Sequence, residues 1–238
     1  MKKILLILNI SVLAITARGS LVLVSGTGGN TYDANAAYRV NGSFGGSVPI
    51  QEVGGLFSAL ASGNLARLDL GLTYDAGHQG PVNAYLYGDA GGSPDNANQI
   101  FLGSGTPTAL FGTTNNSIVS FAIGGAIPVT MGTTYWLVLK PGTTNTSDEW
   151  NLTSPPILGT VAFSPDDSMW TVHPPVDGFI YSQYNLWCTP VPDSGSTILL
   201  MLGSVATLSG LRRMFSRPAG QPVKSKASRP DRSAHSPF

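Results

Sequence analysis

Cysteine, histidine and charge are what this 238-residue chain has least of. A single cysteine, Cys188, excludes any internal disulfide. The residue-level expectation for it is a half-buried, inert thiol, with capture of a partner as the alternative. Three histidines, at 78, 173 and 235, do not supply the three or four His or Cys ligands of a zinc site. No Gly-x-Ser-x-Gly presents a nucleophile. The loop at Gly26, Thr27, Gly28 and Gly29 lacks the lysine of a phosphate-binding loop. Charged residues make up only 11% of the chain. Between Gly19 and Pro190 just three bases (Arg39, Arg67, Lys140) face eleven acids, a net charge of −8. Such a region carries no electrostatic footprint for nucleic acid, which needs clustered Lys and Arg.

What is abundant is glycine, 29 residues of it, in loops crowded with Thr, Ser and Asn. This is the composition of an exported all-β protein with many turns. Leu68, Leu70, Leu72 and Tyr74 alternate with Arg67, Asp69, Gly71 and Thr73, the period-two signature of a strand with one buried face. Val82, Ala84 and Leu86 repeat it against Asn83, Tyr85 and Tyr87. The turn-rich 75–81 segment between them reads as a hairpin or a sheet crossover. The run 134–140 is apolar on both faces and belongs in the middle of a sheet covered on both sides. Further strands are expected over 118–123, 157–163 and 179–187, and weaker ones over 21–24, 51–57 and 169–172. With no amphipathic helix and no fixed-period repeat, the expected fold is a β-sandwich of jelly-roll type.

The ends differ from the middle. Met1-Lys2-Lys3 and the apolar 4–17 run read as a signal peptide over 1–18, with an uncleaved N-terminal anchor as the alternative. From 197 to 211 no residue is charged, and fifteen residues of helix rise about 22 Å against a hydrocarbon core of about 30 Å. Arg212, Arg213 and Arg217 would hold the far end in the cytoplasm. This is a thin transmembrane helix, suited to a segment held in the membrane and then removed. Preceding it are Val191, Pro192, Asp193, Ser194 and Gly195. Motif, apolar helix and arginine pair together resemble the VPDSG variant of the PEP-CTERM sorting signal over 191–217. The resemblance implies an exosortase-type processing enzyme as partner, with these five residues as what it recognises. Residues 218–238 read as a disordered basic tail.

A second resemblance lies in the intervening 19–190 domain. Leu68-Asp69-Leu70-Gly71-Leu72, then Leu86-Tyr87-Gly88-Asp89 and Gly91-Gly92-Ser93-Pro94, then 129–139 and Trp150, are similar to the choice-of-anchor domains. Those are exported β-rich domains carried on varied C-terminal anchors. That likeness implies a surface or extracellular role and no agreed ligand.

Candidate sites are few. Asp75, Asp89 and Asp95, with Asn96, fall on expected loops beside adjacent strands and offer the oxygen ligands that calcium takes; no other cofactor is indicated. Tyr85 and Tyr87 alternate with the buried set, so their rings would face outward, where flat rings can stack on sugars. Trp136 belongs to the core. Asp148 with Glu149, and Asp166 with Asp167, would serve glycosidic cleavage only if folded about 5–10 Å apart across a cleft. Neighbouring carboxylates on a β-loop otherwise read as solvated turn residues. The expected protein is therefore an exported, C-terminally sorted, non-catalytic structural or adhesive protein of the cell surface or extracellular matrix. A carbohydrate-binding module holding exopolysaccharide and a glycoside-active enzyme are the alternatives.

Overall fold

The computed structural model describes residues 20–27, 31–43, 49–113 and 118–190. The signal segment 1–18, the sorting stretch 191–217 and the tail 218–238 lie outside the described residues. Every described residue belongs to the first of two units, which ends at Val191. Among the described residues no helix is long and apolar enough to cross a membrane.

Among the described residues thirteen strands run in order: β1 (Val22–Gly26), β2 (Tyr32–Asn41), β3 (Glu52–Ser58), β4 (Gly63–Tyr74), β5 (Val82–Asp89), β6 (Pro94–Gly105) and β7 (Ile118–Ala122). They continue as β8 (Pro128–Val129), β9 (Thr134–Pro141), β10 (Ser147–Thr153), β11 (Val161–Ser164), β12 (Thr171–His173) and β13 (Tyr184–Pro190). They form two antiparallel sheets in a β-sandwich. The first runs β1-β13-β4-β10-β2, with β7 and β8 also on β4, and the second runs β12-β11-β3-β9-β5-β6.

The alternation read from β4 is what glues the layers together. Leu68, Leu70 and Leu72 are fully buried in the core shared by both sheets. Val82, Ala84 and Leu86 of β5 and Leu137 and Leu139 of β9 meet them from the second sheet. Because β4 and β5 lie in different sheets, the 75–81 segment is a crossover. Strand β9 sits between β3 and β5, the central position its two-sided apolar pattern predicts. Trp150 of β10 is 1% exposed, and its indole N–H donates to the Gln183 carbonyl at 3.0 Å.

Besides the two-residue β8, three strands have no counterpart among the expected ones: β2, β6 and β10. Each is rich in Asn, Asp, Ser or Ala, residues depleted from strands in general, so their patterns look like loops. Expected strands 157–163 and 179–187 shift toward β11 and β13, with only isolated bridges at Leu158–Ile180 and Leu152–Ser182 before them.

Candidate functional site

The outward side chains of the second sheet form a second, smaller buried cluster. Trp136 and Val138 (β9), Tyr87 (β5) and Ala162 (β11) are its centre, with Leu56, Tyr85, Trp170 and Val172 packed around them. An outward sheet face is ordinarily wet. This one is covered because the six-residue 165–170 connection between β11 and β12 lies across it as a strap. Trp170 reaches from the strap to Tyr87, their ring centroids 6.2 Å apart. Tyr87 meets Tyr85 at 6.3 Å, and Tyr85 meets Phe101 of β6 at 5.4 Å, all edge to face. The result is a row of four aromatic rings. Tyr87 is fully buried inside it, Tyr85 and Trp170 are half-buried, and Phe101 is 53% exposed.

Polar groups thread this row. The Trp170 indole N–H donates to Asn96 Oδ1 at 2.8 Å, and Trp136 donates to Asp89 Oδ1 at 2.9 Å. The Tyr87 hydroxyl lies 2.9 Å from Gln99 Oε1 and 2.8 Å from Asp167 Oδ1. Lys140 forms an ion pair with Asp167 and lies over the Tyr85 ring, 4.8 Å from its centroid. Asn96 Nδ2 also donates to the Asp167 carbonyl. Asp167 is the sole non-glycine residue with positive φ, 64°, among those described. That left-handed backbone is tolerated by Asp better than by most residues, and it persists where surrounding contacts over-determine it.

Beneath the strap lies Glu52, the first residue of β3 and only 7% exposed. Its Oε2 has no hydrogen-bond partner. Burial pushes its carboxyl up to about 8; Lys140 opposes the rise, while Asp167 and Asp166 add to it. A hydrogen bond toward Asp167, with protonated Glu52 as donor, contributes to the rise. Burial and the Asp167 carboxylate also raise the Tyr87 hydroxyl, keeping it neutral and a donor.

The sequence-derived candidates are dispersed. Asp89 and Asp95 share one hairpin tip, where Asp89 accepts from the Gly92 N–H and Asp95 from the Ala97 N–H. Asp75 lies toward the other end of β5, accepting from Ser147 Oγ at 2.9 Å and paired with Arg39 at 3.1 Å. A strand of that length separates the two places by about 20 Å, so the three do not converge on one calcium ion. No group of three or more metal-ligating His, Cys, Asp or Glu occurs among the described residues.

Asp148 and Glu149 are not solvated turn residues: both lie in β10, 0% and 3% exposed. Successive strand residues face opposite ways. Glu149 turns outward to Arg39 Nε at 2.8 Å, and burial raises its carboxyl against that pairing. Asp148 turns inward, and neither of its oxygens has a hydrogen-bond partner. Burial drives it up to about 8, the nearby Gly80 N–H opposes the rise without reaching hydrogen-bond geometry, and Glu149 and Asp75 add to it. Asp166 is exposed and lowered by its bonds from Ser168. The two carboxylate pairs therefore sit on different sheets and frame no common cleft. Cys188 is fully buried rather than half-buried, its thiol raised by burial. The sorting residues Val191 to Gly195 and Arg212, Arg213 and Arg217 lie outside the described residues.

Sequence reasoning found Tyr85, Tyr87 and Asp167 one by one but not their meeting, nor Glu52 and Lys140 beside them. The available signal was the two-sided apolarity of 134–140, which demands a cover for the outer face. Compared with known proteins, the chain matches no family model and no curated protein.

Proposed function

We propose that the chain is an exported, non-catalytic surface protein whose β-sandwich acts as a structural or adhesive module. In this reading the sandwich is of jelly-roll type. The 197–211 run is a temporary transmembrane helix, and an exosortase-type enzyme cuts near Val191-Pro192-Asp193-Ser194-Gly195. The support for export is the order of segments: a basic and apolar start, an acidic strand-built domain, then motif, apolar run and arginines. Fractionation with intact mass tests it: a mature, extracellular product ending between 191 and 195 is expected. An exported product still ending at Phe238 would refute the processing.

The aromatic row favours a second reading, adhesion to extracellular polysaccharide. Phe101, Tyr85 and Trp170 present partly open rings, while Gln99, Asn98, Lys140 and Asp167 supply hydrogen-bonding groups beside them. An apolar ring face with a polar rim is the chemistry that takes a sugar ring. Retention on immobilised polysaccharides, weakened at least several-fold by Phe101→Ala or Tyr85→Ala with the fold intact, is the expected result. No retention on any polysaccharide would count against this reading.

A further inference from the structure

We propose that Glu52, Asp167, Lys140 and Tyr87 form a proton-operated latch that holds the 165–170 strap over the second sheet. Asp167 is the strap's anchor: it receives Lys140 and the Tyr87 hydroxyl through its carboxylate and Asn96 through its carbonyl. Its backbone is held at a φ of 64° that the contacts must maintain. Directly beneath is a buried carboxyl with an oxygen that has no donor. A proton relieves both problems at once. Protonated, Glu52 carries no buried charge and can donate to Asp167, adding a third donor to its carboxylate. Ionised, Glu52 repels Asp167 and competes with it for Lys140, the single cation in reach among the described residues.

The groups facing Glu52 are few, so the sign is clear. Strand β9 contributes Lys140, strand β5 contributes Tyr87, and the strap contributes Asp166 and Asp167. Of these, Asp167 and Asp166 add to what burial does against a negative charge on Glu52, and Lys140 favours one. Lifting the strap admits water and returns Glu52 toward the ordinary carboxylate range. The closed state therefore binds the proton more tightly than the open state. Closure is firmest below the ordinary carboxylate range and weakens as pH rises from there to about 8, levelling off above it. Trp170 rides on the strap as one end of the aromatic row. If the row holds polysaccharide, a point that rests on the second reading above, release of the strap removes that end of the site.

Hydrogen–deuterium exchange of residues 165–170 tests this on the full chain in non-ionic detergent between pH 5.5 and 9, corrected for intrinsic exchange. Protection should fall by up to about tenfold per pH unit toward pH 8, then flatten. Difference fluorescence against Trp170→Phe should follow the same profile. Glu52→Gln keeps a donor but cannot ionise, and should hold protection level across the range. Asp148→Asn, a buried carboxyl elsewhere, should leave the strap profile in place. A flat wild-type profile, or an unchanged slope in Glu52→Gln, would overturn the latch. Binding to polysaccharide is read separately at pH 6 and 8.5. Several-fold weaker wild-type binding at the higher pH, abolished as a difference in Glu52→Gln, supports the coupling. A strap that titrates in a chain binding no polysaccharide supports the latch and refutes the ligand.

Discussion

Asp148 shows how a single residue can set a pH limit on the whole sandwich. It is 0% exposed, without a hydrogen-bond partner, and raised to about 8. In the unfolded chain its carboxyl ionises near the ordinary value of about 4. Between those two values the folded state holds a proton that the unfolded state has lost. Folding stability therefore declines by about 1.4 kcal/mol per pH unit from this group across that window, and the decline ends above pH 8. Asp148→Asn removes the titration while preserving shape. Its melting temperature should fall less than the wild type's between pH 5 and 8, and parallel curves would contradict the assignment. Cys188 is the opposite kind of residue, buried and silent. It should resist alkylation in the native state and react only after denaturation.

At the scale of elements, β4 is the hub, because it pairs with β13, β10, β7 and β8. Its inward-facing Leu68, Leu70 and Leu72 have no exposed surface. Leu70→Ala should destabilise by about 2–5 kcal/mol, transfer and cavity terms together. Leu60→Ala, at a side chain 66% exposed just before the strand, should change stability little. Denaturant midpoints of the two variants provide the comparison. Legibility followed the same physics. Strands β4, β5 and β9 could be read because burial of one or both faces imposes a period on the sequence. Strand β10 could not, because Ser147, Asp148 and Glu149 are polar residues buried by tertiary context, which no local pattern reports. The strap was opaque for a related reason. Asp166 and Asp167 look alike in sequence, yet one is solvated by its own turn and the other is drawn across to Lys140, 27 positions away. A partner that remote leaves no trace in local spacing, and the same holds for Glu52.

For the whole molecule the decisive element is β13, the last described strand. It lies between β1 and β4 in the first sheet, and Leu186 and Cys188 enter the core fully buried. Its final residue, Pro190, pairs with Gly63. The sequence motif begins at the next residue. Processing within 191–195 would thus spare every ladder of the sandwich, whereas a cut a few residues earlier would strip an interior strand and leave two edges unpaired. Two truncations separate these cases. Removal of 192–238 should leave the thermal transition of the sandwich unchanged, as expected if the 191–195 boundary is where export can safely release it. Removal of 184–238 should abolish that transition, because β1 then loses its partner and β4 one whole edge. A cooperative transition surviving the second truncation, or lost in the first, would show that the stability of the first unit is distributed differently from the packing of β13.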